Sequence, residues 1–248
     1  MHRFYLAPED WNPDAFTLAG SEAHHGRNVL RLEAGDKVVL FDGRGREVTA
    51  EIESVEPSGI RLRKLHEAKS SPLRCQITLA QAIPKGKNMD LIVQKAVEIG
   101  AAEIAPILSD RTVVRLDEES SAAKQSKWQT VAIEAAKQCG QNWLPRVQAP
   151  QTMAQFFDHR SSFDLQLIGS LQSDAVHLKK ILAEYAAEHG DRPSSVLMLV
   201  GPEGDFTPAE LSLARSHGCR PITLGPIVLR VETASIYCLS VLSYELLV

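Results

Sequence analysis

Apolar residues along this chain follow two rhythms. Up to about residue 70 they come in short runs, at positions 3–6, 37–41, 47–55 and 60–65. Val48-Thr49-Ala50-Glu51-Ile52 alternates apolar with polar, the period of a strand with one buried and one wet face. Asp42-Gly43-Arg44-Gly45 separates two of the runs, and Asp-Gly between strands signals a hairpin. One short helix interrupts them, with Ser21 as its N-cap and Val29 and Leu30 packing inward. The pattern predicts a small β-barrel over residues 1–70. Residues 66–72 are polar and aperiodic and end in Pro72, so they read as the linker.

From Leu73 the rhythm becomes strands alternating with amphipathic helices. Residues 75–83 read as a strand. Asn88 caps a helix whose Met89, Ile92, Val93, Ala96 and Val97 share one face, with Gly100 as its stop. A strand at 103–108 and a long helix at 120–138, ended by Gly140, come next. A strand at 163–168 follows, then a helix capped by Asp174 with Leu178, Ile181, Leu182 and Tyr185 in register. After an apolar strand at 196–200, Thr207-Pro208-Ala209-Glu210 opens a helix as a capping box with proline in the first position. This alternation predicts an α/β domain over residues 73–248, built on a mostly parallel sheet. The last helix, about 232–247, is apolar on more than one face. Tyr237, Cys238, Val241 and Leu242 make one stripe while Ile236, Leu239 and Leu246 lie off it, so burial on two sides is expected.

Two Gly-Pro turns, Gly201-Pro202-Glu203-Gly204 and Gly225-Pro226, each follow a buried-type strand. Open α/β sheets bind ligands at such strand ends, and glycine lets backbone approach a ligand closely. The second turn runs into Leu229-Arg230-Val231-Glu232-Thr233, a polar knot in an otherwise apolar segment. Polar side chains there need partners if buried. An Arg230–Glu232 ion pair at a helix start and a ligand site are equally good readings of that spacing. Dinucleotide, Walker, zincin and nucleophile-elbow motifs are missing.

Hydrophobic content of 44% and charged content of 23% are those of a soluble globular protein. No apolar run approaches membrane-spanning length, and the first residues lack a signal-peptide core. Cys75, Cys139, Cys219 and Cys238 lie far apart without metal-ligand spacing, which suits reduced thiols in a cytoplasm and no metal. A net charge of -4 argues against coating nucleic acid indiscriminately but leaves room for a local basic face. In the first domain His24, His25, Arg27, Arg31, Arg44 and Arg46 cluster around a hairpin, fit for phosphate contacts.

Val200-Gly201-Pro202-Glu203-Gly204-Asp205-Phe206, Leu224-Gly225-Pro226 and Leu229-Arg230-Val231-Glu232-Thr233-Ala234 together resemble the signature of SPOUT-class RNA methyltransferases, closest to the RsmE type. His24 to Leu32, Gly35-Asp36 and Phe41-Asp42-Gly43 resemble that family's PUA-like RNA-binding barrel. Lys85-Gly86-Lys87, Gln94 to Gly100 and Glu134 to Gln138 resemble its middle blocks. Three positions depart from the pattern: Ile227 and Gln141 replace arginines, and Val231 replaces a threonine.

The resemblance implies a deep trefoil knot at the C-terminus and a homodimer packed through the knot and last helix, Leu239 and Leu246 included. It implies S-adenosylmethionine held by three loops, 168–171, 199–204 and 224–233, through Gly169, Ser170 and Leu171, Leu199, Val200, Gly201, Pro202, Glu203 and Gly204, and Leu224, Gly225, Pro226, Leu229, Arg230, Glu232 and Thr233. Lys85 and Lys87 join the RNA contacts. The implied reaction is methylation of uridine N3 in 16S ribosomal RNA, free or in the assembled subunit. Arg230 would stabilise the anion, with Glu203 or Glu232 taking the proton or orienting Arg230. Another base, a ribose hydroxyl, or a non-catalytic RNA-binding role stay open.

Overall fold

The computed structural model describes residues 1–12, 15–112, 117–158 and 162–247. The chain divides into two units. One is Met1–Pro72 with Ile133–Leu144, and the other is Leu73–Ala132 with Pro145–Val248.

The first unit is a five-stranded sheet: β1 (His2–Tyr5), β2 (Phe16–Leu18), β3 (Lys37–Phe41), β4 (Arg46–Glu56) and β5 (Gly59–Lys69), in the order β1-β3-β4-β5-β2. β1 pairs with β3 in parallel and the other pairings are antiparallel. Among the described residues the outer strands β1 and β2 do not pair with each other, so the expected barrel is an open pairing order. The sheet is bent by register shifts at Thr49/Ala50 and Ile52/Ser54. Phe4, Phe16, Leu18, Leu40, Ile52 and Ile60 fill its core. At the β3–β4 hairpin the buried Asp42 carboxylate accepts from the Arg44 and Arg46 amides at 2.7 and 3.0 Å.

Three local expectations need correction here. Residues 66–69 are strand, because the antiparallel partner β4 supplies backbone hydrogen bonds whatever the side chains are. The short helix α1 (Gly20–His24) has Ala19, not Ser21, at its N-cap. It continues as a wide turn, His25–Val29, that leaves Val29 exposed while Leu30 packs on the core.

The second unit carries an all-parallel sheet. Its strands are β6 (Gln76–Ala82), β7 (Glu103–Leu108), β8 (Arg146–Val147), β9 (Gln151–Thr152), β10 (Leu165–Gly169), β11 (Val176–His177), β12 (Ser195–Val200) and β13 (Arg220–Thr223). The order is β11-β13-β10-β12-β6-β7-β8, with β9 on β7. The helices are α2 (Asn88–Ile99), α3 (Glu118–Cys139), α4 (Met153–Asp158), α5 (Leu178–His189), α6 (Pro208–Ser216) and α7 (Val231–Leu246). Residues 133–139 of α3 belong to the first unit.

Met89, Ile92, Val93, Ala96 and Val97 are the buried face of α2, and Gly100 ends it with φ 96°. Two caps differ from expectation. Lys87 holds the N-cap of α2, because the Asn88 amide donates to Glu232 instead. His177 precedes α5, because Asp174 is engaged by Arg215 at 2.6 Å. The α6 box forms as read, Thr207 and Glu210 each bonding the other's backbone amide. On α7, Leu239 and Leu246 are buried within their own chain, and the helix packs against α2 and β6. They therefore do not lie on a free face; Tyr237 and Tyr244 do.

Candidate active site

Because β13, β10 and β12 are adjacent and parallel, the segments leaving their C-terminal ends emerge side by side. They enclose a cavity of about 700 Å³. Its walls are residues 169–172 after β10, residues 200–203 with Asp205 after β12, and residues 223–232 with Ala234 after β13; Asn88 closes one side.

Local chemistry shapes each wall. Ser170, nearly buried, donates its amide to the Ile222 carbonyl and accepts the Gln172 amide on its hydroxyl, which stitches the first wall to β13. Asp205 stands in the left-handed region at φ 63°, a conformation aspartate tolerates, and accepts the Phe206 amide at 2.8 Å. Gly225 has φ 109° and open space where a side chain would start. Gly201 differs: a Cβ there would come within 3.3 Å of Asp205 and of the buried Phe206 ring. A larger residue at 201 would therefore disturb the core as well as the cavity.

Most of the residues expected to hold a cofactor converge on this cavity: Gly169, Ser170, Leu171, Val200, Gly201, Pro202, Glu203, Leu224, Gly225, Pro226, Leu229, Arg230 and Glu232. Leu199, Gly204 and Thr233 do not line it, Leu199 being wholly buried in β12. Ile227, Val228 and Val231, inside the expected loop 224–233, line it too, whereas Asn88, Gln172, Asp205, Thr223 and Ala234 were missed. Four of these five adjoin expected loops in sequence, and only Asn88 needed the fold to find it.

The Arg230–Glu232 ion pair does not form. Glu232 accepts from the Asn88 amide at 3.2 Å, and Arg230, exposed, pairs with no described side chain. Glu203 accepts the Lys85 backbone amide at 2.9 Å, so it ties the β6–α2 loop to the turn after β12. The wall carries three carboxylates, Glu203, Asp205 and Glu232, against the one guanidinium of Arg230. Among the described residues no cluster of His, Cys, Asp and Glu could hold a metal ion.

In the first unit, Arg3, Arg61, Arg63, Lys64 and Lys137 are paired with carboxylates, and so is Arg46, expected to meet phosphate but held by the buried Asp42 at 2.6 Å. Of the residues expected to meet RNA, Arg31 and Arg44 are exposed and have no such partner among the described residues, and Arg31 is held at φ 54°. Arg27 spends one amino group on the Glu56 carbonyl, and His24 bonds Asn28 at 2.9 Å. His25 packs edge-on to Phe4 with centroids 6.4 Å apart. Lys85 and Lys87 are exposed beside the cavity.

The family model described as an RNA methyltransferase domain matches residues 71–243, and that of an RNA methyltransferase PUA domain matches residues 18–65. The chain thus belongs to the class of RNA methyltransferases with a PUA module. Ribosomal RNA small subunit methyltransferase E of Bacillus subtilis is 31% identical over 93% of this chain and 90% of its own length. The protein of the same name from Neisseria gonorrhoeae, solved with S-adenosyl methionine, is 32% identical with a TM-score of 0.86, covering 99% of this chain and 98% of that one. A methyltransferase of Legionella pneumophila, solved with the cofactor SAM, is 34% identical with a TM-score of 0.87 over 98% and 97%. This chain belongs to the ribosomal RNA small subunit methyltransferase E family.

Proposed function

We propose that this protein methylates N3 of a uridine in 16S ribosomal RNA, with S-adenosylmethionine as methyl donor. The observation that carries the reading is the cavity at the ends of β13, β10 and β12. Its size lies in the usual range for small-ligand sites, roughly 300–1,000 Å³. Its excess of carboxylates over cations suits a positively charged sulfonium, and Gly225 leaves the wall bare where a side chain would fill it. Residues 169–171, 200–203 and 224–229 would hold the donor, which when bound supplies an electrophilic methyl group.

The chain's own groups do the rest. Arg230, with no carboxylate partner among the described residues, faces the charge that builds on the uracil ring as its N3 proton leaves. Glu232, oriented by the Asn88 amide, accepts that proton. Glu203 holds the two loops together and shapes the wall. Arg31 and Arg44, with His24, His25 and Arg27, position RNA phosphates on the first unit, and Lys85 and Lys87 do so at the site.

The same reading includes the trefoil knot. β13 lies beyond β10, yet α7 packs on α2 and β6, so residues 224–230 cross the ends of β10 and β12. It also includes a homodimer through the outer face of α7. There Tyr237 and Val241, with Leu178, Ile222 and Leu224, line a groove of about 160 Å³, and Tyr244 is 78% exposed. No helix among the described residues is long and apolar enough to cross a membrane. The substrate is cytoplasmic ribosomal RNA or the small subunit that contains it. Nucleoside mass spectrometry of that RNA, with and without the protein, is the test: 3-methyluridine should depend on it, and its absence would remove the reading.

A further inference from the structure

The turn after β12 is held from two sides. Lys85 donates its backbone amide to Glu203, and the Arg111 guanidinium donates to the Gly204 carbonyl. These anchors come from the loops after β6 and β7, which together with β12 are consecutive in the sheet. Arg111 thus stands at the same end of the sheet as the cavity, yet neither it nor Gly204 lines the cavity wall. The Arg111 side chain runs close over Gly204, its Cδ at van der Waals distance, 3.4 Å, from where a Cβ would stand.

Arg111 belongs to a small set of unpaired cations at this end of the sheet. Many cations of the second unit are matched with carboxylates, as in Arg74–Asp191, Lys127–Asp90, Arg215–Asp174 and Arg220–Glu184. Arg111, Lys85 and Lys87 are exposed and pair with no carboxylate among the described residues. The bond to Gly204 holds one amino group of the exposed Arg111 guanidinium at the turn, and its other donors have no partner among the described residues. A planar fork with free donors is suited to a phosphate.

We propose that Arg111 is an RNA-binding residue of the methyl-transfer site, clamped by the Gly204 carbonyl and donating to a backbone phosphate beside the target nucleotide. The inference rests on the function proposed above. Its place outside the cavity separates it from the cofactor's own carboxylate, the other anion it could meet.

The test uses Arg111→Ala and Arg111→Lys in the full chain. The RNA probe is a small-subunit ribosomal RNA fragment centred on the nucleotide that mass spectrometry maps. For Arg111→Ala, RNA affinity should fall on the order of tenfold and the salt slope should drop by about 0.7–0.9, the effect of one phosphate contact. The RNA KM should rise, while affinity for S-adenosylmethionine by calorimetry stays within about twofold. Lysine keeps the point charge, so Arg111→Lys should recover the salt slope and part of the affinity. If both variants lose cofactor affinity with an unchanged RNA slope, Arg111 is only a brace for the turn and the proposal fails. Wild-type protein that leaves the ribosomal RNA unmethylated would remove this inference together with the reading beneath it. An active wild type with an unchanged slope in Arg111→Ala removes this inference alone.

Discussion

Glu210 joins the loop after β7 to the turn after β12, and its removal should loosen both. The carboxylate is nearly buried at the start of α6. One oxygen accepts from the Thr207 amide at 2.8 Å, the Thr207 hydroxyl at 3.0 Å and the Ser109 hydroxyl at 3.3 Å. The other accepts the Asp110 amide at 3.0 Å. In Glu210→Ala the Thr207 and Asp110 amides lose their acceptor. A hydrogen bond to a charged group contributes about 1.5–3 kcal/mol, and two to backbone amides are lost, while the Thr207 hydroxyl still caps the residue-210 amide. Solvent reaches the exposed Asp110 and recovers part of this, so the expected loss is about 3 kcal/mol. In a chain of this size that lowers Tm by roughly 6–12 °C. The Glu210→Gln variant retains one acceptor but places an NH2 group against one of the two amides, so it should show about half the loss. Urea unfolding of the three proteins measures it. A loss below about 1 kcal/mol in Glu210→Ala would refute the reasoning, since it would mean water replaces this carboxylate without cost.

Other expectations concern single features. Gly225→Ala forces an L-residue to φ 109° and puts a methyl into the cavity; S-adenosylmethionine affinity should fall tenfold or more by calorimetry, at a stability cost of about 1–2 kcal/mol. Arg230→Met should lower kcat about 10²–10³-fold in single-turnover methylation while cofactor affinity changes little, because the cation acts on charge present only during transfer. Tyr244→Glu should leave the fold within about 0.5 kcal/mol and produce a monomer in light scattering, whereas Leu239→Asp, at a position only 1% exposed, should unfold the chain. Burial pushes the Cys75, Cys219 and Cys238 thiols up to about 12. A thiol reagent near pH 8 should therefore label only the exposed Cys139 until the protein is unfolded. For the same three thiols the unfolded chain gives up protons first, so stability should decline as the pH rises above about 9, seen as alkaline lowering of Tm.

The features legible in the chain alone were local or periodic. The α2 face, its Gly100 stop, the β7 strand and the Thr207–Glu210 box all rest on spacings of a few residues, and each formed where read. The site segments were legible for the same reason: a turn rich in glycine and proline after an apolar run marks a strand end whichever strands surround it. Whatever depends on which partner a polar group meets was settled by the packed molecule. Asn88 and Asp174 have good capping chemistry, but Glu232 and Arg215, 144 and 41 residues away, compete for them and win. Arg230 and Glu232 sit at pairing distance in sequence, yet Asn88 draws the carboxylate aside and leaves the guanidinium to the cavity. Period could show that α7 is apolar all round; only packing on α2 and β6 showed that Leu239 and Leu246 face inward and that Tyr237 and Tyr244 remain outside. Arg111 carries no sequence signal at all. Its place at the site comes from β7 lying beside β6 and β12, a long-range pairing whose partners no local pattern specifies.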